Sequence, residues 1–142
     1  VIMVLFGGNS TKTIDIMQRA MDYSLMRDDV IKNNIANAST PNYKRRDVTF
    51  QAELRRAIDS EKKEVIPFKT SRKRHIPIYK PKDYREVSPK VITEYNTYQN
   101  NNNNSVDIEK EMMESTKNSM YYNALAQRIA KEFNKIKFIM RS

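Results

Sequence analysis

Apolar positions recur at helical intervals at both ends of this chain and lose that rhythm in its centre. Ile14, Met17, Met21, Leu25, Ile31 and Ile35 fall near helical spacing, with Ala20, Met26 and Val30 widening the stripe. This predicts an amphipathic helix over 12–38. Thr11 or Thr13 is its candidate cap, and Asp15 then lies in the first turn, where the helix dipole favours an anion. Pro41 disfavours helical geometry at Thr40, and Asn37 is the candidate left-handed residue at the helix end. Thr40-Pro41-Asn42-Tyr43 puts proline second in a tight turn. A shorter helix is expected from Asp47 to about Ser60, capped by Asp47, with Phe50, Leu54, Ala57 and Ile58 on one face.

The most regular pattern is C-terminal. Positions 108, 112, 115, 119, 122, 126, 129, 133, 136 and 140 alternate steps of four and three and read Ile, Met, Ser, Ser, Tyr, Ala, Ile, Phe, Ile, Met. That is a coiled-coil seam softened by two serines. Asp107 is the natural N-cap, acids follow at Glu109, Glu111 and Glu114, and Lys131, Lys135, Lys137 and Arg141 gather near the far end, the order the dipole favours. A helix of this length, roughly 50 Å at 1.5 Å per residue, needs a partner along its seam, and the N-terminal helix can cover part of it as an antiparallel neighbour. Met113, Met120, Tyr121, Leu125 and Ile139 lie off the seam, so two helices alone leave apolar surface that suits another chain. The competing reading is a monomeric helical domain in which the short helix and the centre cover that surface.

Between the ends, Val65-Ile66, Ile76 to Tyr79 and Val91 to Tyr98 are rich in β-branched and aromatic residues, but four of the five prolines lie in 62–90. Prolines confine such runs to edge strands or extended loops, so at most a small β-hairpin is expected. Asn100 to Asn104 form a polar low-complexity linker. The resulting fold class is mainly α: long N- and C-terminal helices paired as a coiled-coil-like antiparallel hairpin, a short third helix, and a central irregular segment. The expected divisions are 1–11 as a flexible start, 12–61 as the N-terminal helical part of a core, 62–104 as the proline-rich centre with its linker, and 105–142 as the C-terminal helix.

Charge sharpens this division. Of the formal net charge of +9, residues 1–61 carry +1, residues 62–90 carry +7 and residues 91–142 carry +1. In the centre, Phe68-Lys69, Arg72-Lys73-Arg74-His75, Tyr79-Lys80, Lys82 and Tyr84-Arg85 interleave cations with aromatic rings. That combination neutralises phosphates and stacks bases, so a nucleic-acid-binding protein is one hypothesis and a solvated basic loop the plainer one.

The 142 residues include no Cys, one His and two Gly, both at Gly7-Gly8. This excludes a thiol nucleophile, a Cys/His zinc site and, beyond Asn9, any glycine-rich phosphate cradle. His75 has no carboxylate or nucleophile tied to it by spacing, so no enzyme activity and no cofactor are expected. The acids at 107, 109, 111 and 114 need only the dipole to explain them, and metal binding is not expected. Val1 to Phe6 is apolar but too short to span a bilayer and has no basic residue before it, so neither a membrane span nor a cleaved signal is expected.

Arg27 to Lys44, with the core Asn34-Ile35-Ala36-Asn37-Ala38 and Thr40-Pro41-Asn42-Tyr43, continued by Arg45-Arg-Asp-Val-Thr-Phe50, closely resembles the bacterial flagellar rod proteins. Thr70 to Ile76, Asn104 to Met112 and Tyr122-Asn-Ala-Leu125 are similar to members of that family at the base of the rod. The asparagine run stands where the family commonly has an Asp-Gly-Asn turn, and the apolar start has no family counterpart. The resemblance implies terminal helices that pair and pack against neighbouring subunits into a helical, periplasm-spanning drive shaft. It implies contacts with further copies, with the rod proteins FlgC and FlgF, the adaptor FliE and the membrane-ring protein FliF, and export through the flagellar type III apparatus without a cleaved signal. Nucleic acid is not among the partners it implies. The assembly residues expected on this basis are Ile31 and Ile35 opposite Leu125, Ile129, Phe133, Ile136 and Met140, with Asn34, Asn37, Thr40, Pro41 and Tyr43 fixing a turn that seats one subunit on the next. Arg72, Lys73 and Arg74 are the expected ring-facing basic patch.

Overall fold

A computed structural model describes residues 9–61, 82–95 and 106–141. Its elements are helix α1 (Asn9–Ala36), strand β1 (Arg46–Thr49), helix α2 (Gln51–Glu61), a single 3-10 turn (Tyr84–Glu86), strand β2 (Lys90–Thr93) and helix α3 (Ile108–Arg141). The chain is mainly helical, as the periodicity predicts, and α1 and α3 make the main packing surface. Val65-Ile66, Ile76 to Tyr79, the Arg72 to Arg74 patch and the asparagine run lie outside the described residues.

The chain divides into two compact units, one made of Val1–Val48 with Val91–Ser142 and the other of Thr49–Lys90. In the first, α1 and α3 run antiparallel: Ser24 meets Asn118, Arg27 meets Glu114 and Asn34 meets Glu111, so one number falls as the other rises. Its buried residues are Met17, Ala20, Tyr23, Ser24, Ile31, Asn34, Arg45, Val48, Val106, Glu111 and Asn118. In the second unit, α2 packs on the 3-10 turn, burying Leu54, Ala57 and Tyr84. There Ser60 Oγ accepts from the backbone N–H of Lys82 at 3.1 Å, and Asp83 caps the 3-10 turn by accepting from the Arg85 N–H.

The strands pair antiparallel: the Glu94 N–H donates to the Arg45 carbonyl at 2.9 Å, and Thr49 Oγ1 donates to the Lys90 carbonyl at 3.4 Å. Val91 to Thr93 form a strand as expected, but its mate is Arg46–Thr49, where the start of the short helix is expected. Asp47 therefore does not cap that helix. Its Oδ1 instead accepts from the Val48 N–H at 2.7 Å, and α2 begins at Gln51. The β-branched pair Val48-Thr49 favours the pleated conformation over the first turn of a helix.

The helix ends show how a chain so poor in glycine turns. Asp107 caps α3 as expected, its Oδ1 accepting from the N–H groups of Glu109 and Lys110 at 3.0 and 3.3 Å. Asp107→Ala should cost about 1 kcal/mol of stability, read as a lowered thermal midpoint by circular dichroism. At α1 the details differ from expectation. The helix already includes Asn9, so Thr11 and Thr13 lie within it and Asp15 is beyond the first turn, paired with Arg19 at 3.3 Å. Asn37 does not adopt the left-handed conformation. Its side-chain amide donates to the Asn33 carbonyl at 2.8 Å, satisfying a terminal acceptor without a reversed backbone. The positive φ falls at Asn42, at 60°, the third residue of the turn that Tyr43 N–H closes on the Thr40 carbonyl at 3.3 Å. Proline second and a left-handed asparagine third make a type II geometry.

Candidate functional site

Packing in the helix pair departs from the apolar pattern in a consistent way. On α1 the line Met17, Ala20, Ser24, Arg27, Ile31, Asn34 faces inward, and Leu25, expected on the stripe, is 51% exposed. On α3 the inner line reads Glu111, Ser115, Asn118, Tyr122, Leu125, Ile129, Glu132, Ile136. The expected seam is thus right at Ser115, Tyr122, Ile129 and Ile136 and one position off at its alternate members, where Met112, Ser119, Phe133 and Met140 face outward. Phe133 is 55% and Met140 72% exposed, so neither joins the packing within the chain. The shift has a physical cause: Ser24, Arg27, Asn34, Glu111 and Asn118 occupy inner positions because each finds a partner across the helix pair, while Glu132 pairs with Arg128 and Lys135 of its own helix.

Asn34 and Glu111 are both 0% exposed and form the centre of this arrangement. The Asn34 amide donates to Glu111 Oε2 at 2.9 Å and to the Arg46 carbonyl at 2.7 Å. Its carbonyl oxygen accepts from the Arg46 N–H at 3.0 Å and from the Tyr43 hydroxyl at 3.3 Å. Asn34 thereby ties the helix to the turn and the first strand in one residue. Arg45 enters from the other side, with Nε 2.6 Å from Glu111 Oε1 and Nη1 2.8 Å from Glu94 and 3.3 Å from Asp47. Burial alone would disfavour the Arg45 charge, but the hydrogen bond and attraction of Glu111, helped by Asp47 and Glu94, hold its pKa above the ordinary arginine value.

Further along the pair, Ser24 Oγ donates to Asn118 Oδ1 and the Asn118 amide donates back to the Ser24 carbonyl, both at 2.9 Å. Arg27 spans the gap between them and the centre, with Nη2 3.1 Å from Glu114, Nη1 3.1 Å from the Tyr23 hydroxyl and Nε 3.5 Å from Asp47. The Lys117 hydrogen bond, outweighing desolvation and assisted by Lys117 and Arg27 charge, lowers the Glu114 pKa. Burial raises that of Tyr23 despite the opposing Arg27 charge.

The expected site residues divide into three groups. Asn34, Asn37, Thr40 and Tyr43 are hydrogen-bonded around the turn, with Thr40 Oγ1 3.3 Å from Asn37 Oδ1 and Pro41 exposed beside them. Ile31 is buried and Ile35, Leu125, Ile129 and Ile136 are half-buried in the helix pair. Phe133 and Met140 are instead exposed, as are Ile108, Met112, Met113, Met120, Phe138 and Ile139, which lie on several sides of α3. Arg27, Arg45, Glu111, Asn118 and Ser24 are the residues the apolar pattern misses. Glu111 is also more than a helix-dipole acid, because it meets a buried guanidinium. Among the described residues no group of His, Cys, Asp and Glu is arranged to hold a metal ion, and no helix is long and apolar enough to cross a membrane. This arrangement holds helices in place and leaves apolar side chains outside; it offers no nucleophile beside a base.

The family profile "Flagella basal body rod protein" matches residues 15–44, from α1 through its closing turn. The chain is 32% identical to the flagellar basal body rod protein FlgB of Borreliella burgdorferi over 92% of its own length and 96% of that protein's. It is 32% identical to FlgB of Bacillus subtilis, covering 97% of each chain, and to FlgB of Aquifex aeolicus, covering 77% of each. Identity at this level across the helix pair, the turn and the centre together shows that the chain belongs to the FlgB family of flagellar basal body rod proteins.

Proposed function

We propose that this chain is a subunit of the proximal rod, building with its neighbours a helical tube that transmits torque from the membrane ring to the distal rod and hook. The observation that carries this is the C-terminal end of α3, where Phe133, Phe138, Ile139 and Met140 are all more than half exposed. Exposed apolar side chains concentrated in this way suit burial against another chain. Repeated head-to-tail contacts that do not close generate a filament rather than a ring. Ile31, Ile35, Leu125, Ile129 and Ile136 brace the helix pair from within, while Phe133 and Met140 meet neighbours, and the Asn34 to Tyr43 turn seats one subunit on the next.

In this reading residues 12–61 and 105–142 form the rod core, and 62–104 carry the basic surface. The neighbours are further copies, FlgC, FlgF, FliE and FliF, with Arg72, Lys73 and Arg74 facing the ring. The chain reaches the rod through the flagellar type III export apparatus. Fractionation tests it: the protein should copurify with basal bodies, and its deletion should abolish motility and leave the membrane ring without a rod. Recovery of complete, rotating basal bodies from the deletion strain would refute it.

A further inference from the structure

The inner surface of the α1–α3 pair carries polar contacts at Ser24, Arg27, Asn34, Glu111 and Asn118 among its apolar residues. Met17 and Ile31 on one helix, and Ser115, Tyr122 and Ile129 on the other, stand at multiples of seven residues, and their sizes range from serine to tyrosine. Methionine adapts its shape, and alanine and serine leave room. The spacing by itself permits sliding by seven residues, which carries most inner positions to other inner positions, a displacement of about 10 Å at 1.5 Å per residue.

The polar contacts do not tolerate it. A slide of α3 in one direction brings Asn118 to the position of Glu111, facing Arg45 with a neutral amide, and brings Leu125 to Ser24. A slide in the other direction sets the Glu111 carboxylate against Ser24 and removes it from Arg45 and Asn34. Either way a buried guanidinium loses its closest carboxylate, and the Asn34 amide loses its carboxylate acceptor while keeping the Arg46 carbonyl. The loss of one partner of a buried ion pair is strongly unfavourable, even where the intact pair adds little net stability over apolar residues. Its effect is therefore on which arrangement forms.

We propose that Arg45, Asn34 and Glu111, with Ser24 and Asn118, are positioning residues that lock the register of α3 on α1 and so set how far α3 projects. In the observed register Asn9 lies fifteen residues before Ser24 and Phe133 fifteen after Asn118. The last two turns of α3, with Phe138, Ile139 and Met140, thus pass Asn9, the first described residue of α1. A heptad slip would move that apolar end by about 10 Å, enough to misplace it against any fixed neighbour. This projection matters for assembly only if the proposed function holds, whereas the register is a property of the isolated chain.

The chain has no cysteine, so spin labels can be placed at will. Labels on Asp29→Cys and Gln127→Cys, both at exposed positions on the two helices, should give a single electron–electron distance in the purified full-length protein. An apolar variant, Asn34→Leu with Arg45→Met and Glu111→Leu, should remain helical and show a further distance displaced by up to about 10 Å. A transposed variant, Glu111→Asn with Asn118→Glu, should shorten the axial separation of the labels by about 10 Å as the moved carboxylate seeks Arg45. The transposed variant decides the matter if the apolar one does not fold. The proposal is overturned if the folded variant keeps only the wild-type distance, or if neither variant folds, since the cluster would then be needed for folding itself. A chain shown to have slipped that still builds rods and swims would leave the lock standing and remove its consequence for assembly.

Discussion

Glu111→Ala is expected to destabilise the isolated chain by about 3–5 kcal/mol, the usual cost of removing one partner of a buried ion pair. Two losses combine. Arg45, with a side chain only 7% exposed, keeps its charge but loses its shortest contact, and Glu94 and Asp47 are more exposed and less able to replace it. Asn34 at the same time loses the acceptor of one amide hydrogen while remaining fully buried. Small domains are stable by only about 5–15 kcal/mol in total, so this one change removes a large share. Denaturant titration at neutral pH measures it, with Lys117→Ala, at an exposed ion pair, as the comparison expected to move stability by less than about 1 kcal/mol. Equal midpoints for the two variants would show that the Arg45 cluster is not a point of stability.

Phe133→Asp should have the opposite profile. Its ring is more than half exposed, so the isolated subunit should lose less than about 1 kcal/mol and keep its helical spectrum. In the assembled rod the same position is proposed to be covered by a neighbour. An unpaired carboxylate buried there costs several kcal/mol, repeated at every copy. The expected result is a folded, exported protein, no rod in the basal-body fraction, and loss of swimming. Normal rods from this variant would remove Phe133 from the interface, and with it the main support for the C-terminal end of α3 as the assembly surface.

Much of this architecture is legible in the chain, and what is not has one cause. The 34-residue α3, its cap at Asp107 and its antiparallel mate follow from periodicity and local hydrogen-bonding chemistry, because both act within a few residues. The turn at Thr40 to Tyr43 follows from the fixed φ of proline, although the left-handed residue lies in that turn, at Asn42, and not at the helix end, where it is expected at Asn37. The buried face of each helix is read less well, since apolarity marks where water is excluded only when polar groups stay outside. Ser24, Asn34, Glu111 and Asn118 are inside because partners many residues away satisfy them, and a periodic pattern carries no information about such pairs. Arg45 is the residue whose burial could have been suspected, standing beside Asp47 and within the rod-protein motif. Even so, its mate lies 66 positions further on.

The division between a polar inner surface and an apolar outer one also has a calorimetric consequence. Unfolding raises heat capacity in proportion to apolar surface exposed, and exposed polar surface lowers it. The α1–α3 pair, with serine, asparagine, arginine and glutamate along its contact line, should therefore have a flat stability curve, little changed between cold and warm conditions. The proposed association through Phe133, Phe138, Ile139 and Met140 would bury mainly hydrocarbon and carry the larger negative heat-capacity change. Hydrophobic association weakens on cooling, so temperature should act on such joining of subunits more than on the folding of each one.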